Sequence, residues 1–309
     1  MTKSIPKRKL IVTGATGLVG SRFVQLFKNQ FSIFTIGREY TDFKINLNSK
    51  KEVLKHVAYL DAESVINFAA YTNVDGAQKE KGNKSGEVYT LNSMLPLWLA
   101  QACKVSGKSL YHISTDYVFN GKKEDRPYTE NEIPKPLDCW YSSTKFQGEL
   151  NAIKGLGSKS RSSIIRISFP YSGVYGRKLD FARVIIDKLK KGEIYFGITD
   201  QKIKPVSVDD IAQALALLIA KQSYGIFHVA GKYSEKGYIS PYEFSLKMAS
   251  IMNLDKSLIK PVSFLELSKK RIAPRPQHTW LDTNKIEKLG FTIPDIDQVL
   301  NRFKIQINS

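Results

Sequence analysis

Three glycines at intervals of three, Gly14, Gly17 and Gly20, stand between a short apolar run and an amphipathic helical pattern, and they restrict the fold more than any other feature. The run Leu10–Thr13 suits a strand buried on both faces of a parallel sheet. Beyond it Val19, Phe23, Leu26 and Phe27 recur at i, i+4, i+7 and i+8 and share one helix face. Glycines so spaced let a pyrophosphate approach the backbone. One makes the tight turn, one clears a side chain, and one brings helix against strand. The pattern predicts a dinucleotide site at a helix N-terminus, with Gly14, Thr16, Gly17, Leu18 and Val19 against the cofactor.

Strand and helix then alternate. Phe31–Ile36 reads as a second strand, ending at Gly37 and Arg38. In dinucleotide folds the residue just past this strand meets the adenosine ribose, and an arginine there pairs with a 2′-phosphate. Arg38 therefore points to NADP(H), with NAD(H) as the alternative. Lys51–Tyr59 reads as a helix and Ser64–Ala70 as a third strand, whose small Ala69 and Ala70, before Tyr71, let the cofactor pass close to the backbone. Glu87–Val105 is a long helix in which Asn92 either orients a group beneath the site or faces solvent. Leu110–Val118 is a fourth strand, Trp140–Leu150 a helix and Ser163–Ser168 a fifth strand. This order calls for an α/β fold, a Rossmann-like doubly wound parallel sheet with right-handed crossovers. Downstream, Phe181–Leu189, Val208–Ala220 and Pro241–Met252 read as helices, Glu193–Phe196 and Gly225–Ala230 as strands, and Lys269–Leu281 as a proline-broken basic segment.

Composition narrows the partners. With 309 residues and 42% hydrophobic content the chain can bury a large core. No apolar run of about 18 residues or more is present, so no membrane partner is expected. The opening MTKSIPKRKL lacks a secretory stretch, which places the expected location in the cytoplasm. Cys103 and Cys139 have no zinc-site spacing, no metal is expected, and both read as free thiols. The net charge of +18 favours anionic partners. Without a helix-turn-helix, zinc-finger or ribonucleoprotein signature, a nucleotide-linked small molecule is preferred to nucleic acid.

The reactive set is Thr115, Tyr141 and Lys145. Tyr141 and Lys145 are four apart and share a helix face, where an ammonium is expected to lower the phenol's pKa. Thr115, at a strand end, can bond the same substrate oxygen. Lys202, Lys204, Arg275 and Trp280 are candidates for a diphosphate and a base or sugar. The four histidines read as structural or surface residues.

TGATGLVG at 13–20 and the Tyr141, Lys145 pair preceded by Ser114-Thr115 resemble the extended short-chain dehydrogenase/reductases. VINFAAYTNVD (65–75), STDYVFNG (114–121), PYTENEIPKPLDCWYSSTK (127–145) and RPQHTWLD (275–282) resemble the dTDP-4-dehydrorhamnose reductase branch. The resemblance implies a Rossmann domain over 1–168 with a returning segment near 203–232, and a smaller C-terminal α/β substrate domain over 169–309. It implies catalytic Thr115, Tyr141 and Lys145, with the lysine also on the nicotinamide ribose, and Asp116, Phe169, Lys204, Arg275 and Trp280 near a nucleotide-diphosphate sugar. The expected reaction is NADP(H)-dependent reduction of a 4-keto-6-deoxysugar, in a chain that can form a homodimer. The sequence departs from the branch at Asn46, Ser142 and Phe169-Pro170-Tyr171. A sugar dehydratase would carry a further acid where Tyr117 follows Thr115-Asp116, and epimerases share the same fold. A different class, also similar, is a regulatory subunit that binds NADP without turnover, like the methionine adenosyltransferase β subunit.

Overall fold

The computed structural model describes residues 7–157, 161–174 and 179–308. The chain opens with β1 (Lys9–Thr13), α1 (Leu18–Phe27), β2 (Ser32–Gly37) and β3 (Phe43–Lys44). Then come α2 (Lys50–Tyr59), β4 (Ser64–Asn67), α3 (Val74–Lys79), α4 (Glu87–Tyr89), a π-helical turn at Thr90–Met94 and α5 (Leu95–Ser106). β5 (Ser109–Thr115) leads through a 3₁₀ turn at Asp116–Val118 to α6 (Trp140–Leu156) and β6 (Ser162–Ile167). Beyond β6 lie β7 (Pro170–Tyr171), α7 (Phe181–Lys190), β8 (Tyr195–Ile198), β9 (Val206–Ser207), α8 (Val208–Ala220) and β10 (Gly225–Val229). The last elements are α9 (Pro241–Ile251), β11 (Ile259–Val262), α10 (Phe264–Ser268), α11 (Asn284–Lys288) and α12 (Ile296–Asn308).

Seven strands form one parallel sheet in the order β3-β2-β1-β4-β5-β6-β10. Every residue of β4, β5 and β6 is buried, because helices cover both faces and leave no solvent side for polar alternation. On one face Phe23 of α1 and Ile211, Leu215 and Leu218 of α8 pack on the sheet. On the other Val53, Leu95, Leu99 and Ala152 of α2, α5 and α6 do so. Strand order reverses between β1 and β4, and in such sheets ligands bind beyond the carboxyl ends of the strands at that point. A further apolar cluster joins Tyr171, Ile186, Phe244, Met248, Val299 and Phe303 after β6.

The structure departs from the sequence reading at several elements, and the third strand, expected over Ser64–Ala70, ends at Asn67. Leu26, expected on the buried face of α1, is exposed. The fourth strand ends at Thr115 because the Thr115 Oγ1 accepts the Tyr117 N–H at 3.2 Å and starts the 3₁₀ turn. The helix expected over 87–105 is interrupted by the π turn, which places Asn92 inside the molecule. Among the described residues, no helix is long and apolar enough to cross a membrane.

Candidate active site

The groove over the β1–β4 reversal is built by close backbone contact. Gly14 has φ +65°, and a Cβ there would lie 2.6 Å from the Ala69 nitrogen. One at Gly20 would lie 2.3 Å from the Gly14 oxygen, so both positions require glycine. Gly17 caps α1 with no side-chain bond to the first-turn N–H groups, and Thr16 and Gly17 are exposed. Open N–H groups at a helix start suit a diphosphate. Opposite them, Thr13 Oγ1 donates to Asn67 Oδ1 at 2.6 Å and accepts the Ala69 N–H at 3.3 Å. Asn92, fully buried, accepts the Tyr71 N–H at 2.9 Å and donates to the Tyr71 carbonyl at 3.2 Å and to Thr144 Oγ1 at 3.2 Å. It thus clamps the segment that carries Ala69, Ala70 and Tyr71.

At the outer end of this groove Arg38, Lys44, Asn46, Asn48 and Glu52 line a space of about 430 Å³. Arg38 is ion-paired with Glu87 at the start of α4. Asn46 uses its backbone N–H to donate to Glu52 Oε2 at 2.7 Å. Two cations beside an open space suit the 2′-phosphate of NADP(H).

Toward the end of β5 the reactive side chains converge. Tyr141 and Lys145 lie one turn apart on α6, and the Tyr141 phenol lies near the Thr115 hydroxyl. Burial raises the Tyr141 pKa, the Asp116 charge adds to the rise, and the nearby Thr115 hydroxyl opposes it. The expectation that Lys145 acidifies this phenol is therefore corrected: the ammonium donates to the Ile113 carbonyl at 2.7 Å, and desolvation dominates at Tyr141. Burial lowers Lys145 itself to about 8, against the opposing charge of Glu149. Behind it His112 is fully buried; Asn67 Nδ2 donates to its Nδ1 at 3.0 Å, and burial holds its pKa well below the ordinary value.

Asp116, expected as a substrate contact, is instead filled from within the fold. Its Oδ2 accepts Thr279 Oγ1 at 2.6 Å and Ser168 Oγ at 2.9 Å, and its Oδ1 accepts Thr115 Oγ1 at 3.1 Å. Burial pushes this carboxyl up to about 6 despite those bonds. Tyr117 meets Tyr141 edge-on at 6.0 Å and Phe169 at 6.1 Å. Phe169 has φ +42°, a strained value for an aromatic residue, held where the chain leaves β6.

The expected sugar-side residues divide. Arg275 is ion-paired with Asp75 of α3 at 2.9 Å, and together with Arg271 it lowers the pKa of the Tyr117 phenol against the rise that burial causes. Positive charge thus faces the reactive cluster. Lys204 is largely buried near Asp282 and Glu287. Trp280 is only 8% exposed and packs against Tyr238 at 5.0 Å, under the Lys202 ammonium, so the open indole face expected for stacking is not presented. Sequence reasoning missed Asn67, Ser168, Arg271 and Thr279, which are ordinary residue types with no motif of their own. Asn67 and Thr279 lie inside stretches that carry the resemblance, VINFAAYTNVD and RPQHTWLD, whereas Ser168 and Arg271 lie outside them.

The chain is similar to known proteins along almost its whole length. The family described as the RmlD substrate binding domain matches residues 8–306. A probable low-salt glycan biosynthesis reductase Agl14 of Haloferax volcanii is 30% identical, over 94% of this chain and 95% of its own length. The methionine adenosyltransferase 2 subunit beta of Xenopus laevis is 27% identical, over 93% of this chain and 84% of its own. A crystal structure of dTDP-4-dehydrorhamnose reductase from Bacillus anthracis in complex with NADP is 30% identical, superposes with a TM-score of 0.84, and is matched over 97% of this chain and 100% of that one. The fold and the matched span agree, and this chain belongs to the RmlD substrate-binding-domain family.

Proposed function

We propose that the protein is an NADP(H)-dependent reductase acting on the 4-keto group of a nucleotide-diphosphate 6-deoxysugar, with dTDP-4-dehydrorhamnose as the substrate. The carrying observation is a buried, neutral Tyr141 phenol near the Thr115 hydroxyl with the Lys145 ammonium one helical turn away. The open N-terminus of α1 would hold the cofactor diphosphate, Arg38 and Lys44 its 2′-phosphate, and Ala69, Ala70 and Tyr71 would border its passage.

Bound NADPH supplies the hydride. Tyr141, kept protonated by burial, gives its proton to the ketone oxygen as negative charge develops there. The Thr115 hydroxyl oxygen orients that phenol, Lys145 would bond the nicotinamide ribose, and the phenolate left on Tyr141 regains its proton from solvent. Arg271 and Arg275 would meet the sugar diphosphate, and Phe169 would border the sugar. On this reading the cofactor occupies a domain over 1–168 with a returning segment that brings β10 to the sheet. The apolar cluster around Tyr171 and Phe244 supports the sugar-holding part over 169–309.

The test is NADPH and NADH oxidation against a panel of dTDP-, GDP- and UDP-linked 4-keto sugars. Turnover with the dTDP sugar and preference for NADPH are expected. Tight NADP binding with no turnover on any of them would replace this reading with that of a cofactor-binding subunit, the class to which one relative's name points.

A further inference from the structure

The Asp116 carboxylate joins the reactive centre to a distant part of the chain. Thr279 lies 163 residues beyond Asp116, in the segment that also carries Arg275. Its backbone is fixed independently of its side chain: the Thr279 N–H donates to the Lys202 carbonyl at 3.0 Å, the His278 N–H to the Gly121 carbonyl at 3.0 Å, and the Tyr128 N–H to the Trp280 carbonyl at 3.0 Å. The Thr279 hydroxyl is therefore held against Asp116 by a rigid frame. Its side chain is fully buried, and its 2.6 Å bond is the shortest of the three that Asp116 accepts.

We propose that Thr279 is a positioning residue for the reduction, acting through Asp116 to fix the hydroxyl of Thr115. This rests on the proposed reduction, in which the Thr115 hydroxyl orients the Tyr141 phenol. An ionised carboxylate only accepts hydrogen bonds. With Thr279 and Ser168 both on Oδ2, the carboxylate is pinned in rotation and Oδ1 stays in front of Thr115. The Thr115 hydroxyl hydrogen is thereby directed to Asp116, which leaves its oxygen to accept from the Tyr117 N–H and to face the nearby Tyr141 phenol. Loss of the Thr279 hydroxyl removes one of three donors from a carboxylate that solvent barely reaches. Asp116 then turns toward its remaining partners, and Thr115 loses its set orientation. The consequence falls on the rate and not on cofactor binding, because Thr279 acts only through this carboxylate.

The test compares Thr279→Val, Thr279→Ser and Ser168→Ala in the full-length protein, reading kcat and KM for the 4-keto sugar and Kd for NADP(H). Thr279→Val is isosteric, so its backbone bonds and packing stay. Its kcat is expected to fall about tenfold, the usual scale for a hydrogen bond to a charged group, with Kd for NADP(H) within about twofold. Thr279→Ser, which restores the hydroxyl without the methyl, is expected to recover most of the rate. Wild-type kcat in Thr279→Val, or a Thr279→Ser variant as slow as Thr279→Val, would overturn the proposal. Should Thr279→Val fail to fold, Ser168→Ala decides, since it removes the other donor to Oδ2: a slowed kcat supports the role and an unchanged one refutes it. Thr115→Val separates the two levels, because wild-type turnover there would overturn the orienting role of Thr115 itself.

Discussion

Glu149 grips Arg166 inside the fold, with Oε1 3.0 Å from Nε and Oε2 2.8 Å from Nη2, while Ser114 Oγ donates to the same carboxylate at 2.5 Å. Both side chains are at most 2% exposed. The pair ties α6, which carries Tyr141 and Lys145, to β6, and Arg166 reaches on to His228 Nε2 at 3.4 Å. Removal of one partner strands the other charge, so Glu149→Leu is expected to cost about 3–5 kcal/mol in urea unfolding. The double variant Glu149→Leu/Arg166→Met should recover much of that loss. Equal instability of the single and double variants would show that packing, not charge, sets the cost.

Lys145 gives stability a pH dependence of definite sign. Its folded pKa of about 8 lies below the ordinary 10.5, so between these values the unfolded chain binds more protons and stability rises with pH. The penalty is full below about pH 8 and is relieved toward pH 10.5. Lys145→Met removes it. The stability of Lys145→Met relative to the parent should therefore shrink by about 3 kcal/mol as denaturation midpoints are measured from pH 8 to 10.5. A constant difference would mean that Lys145 is not held in a desolvated state.

The parallel sheet was readable because its signal is local. An apolar run, three glycines and an amphipathic helix specify β1, the turn and α1 within Lys9–Phe27, and the same alternation carries on to β6. Thr115, Tyr141 and Lys145 were likewise visible, as a strand end and a four-residue helical spacing. What remained hidden depends on contacts between distant residues. The π turn that turns Asn92 inward follows from its bonds to Tyr71 and Thr144. The filling of Asp116 by Ser168 and Thr279 is set by how the chain folds back. The acidified phenol was misjudged because spacing reveals a neighbouring ammonium but not the desolvation that outweighs it.

Gly14 tests the backbone approach. Alanine there would meet the Ala69 nitrogen at 2.6 Å and hold a left-handed φ of +65°. Gly14→Ala is expected to lose about 1–3 kcal/mol of stability. It should also weaken NADP(H) binding in fluorescence titration, through displacement of the Ala69 segment. Unchanged affinity would separate this turn from the cofactor.

Cofactor choice rests on Arg38. Arg38→Ser should weaken NADP(H) about tenfold, the scale of a lost charge-assisted bond, while NAD(H) affinity stays within about twofold. Titration of both cofactors against both proteins measures the ratio, and an equal loss for the two would deny Arg38 a role in reading the 2′-phosphate.

Most direct is the steady-state rate of NADPH oxidation with dTDP-4-dehydrorhamnose in Tyr141→Phe, beside its Kd for NADP(H). Loss of the proton donor predicts turnover reduced by about 100-fold or more with cofactor affinity kept within about twofold. Full turnover without the hydroxyl would contradict the role given to Tyr141.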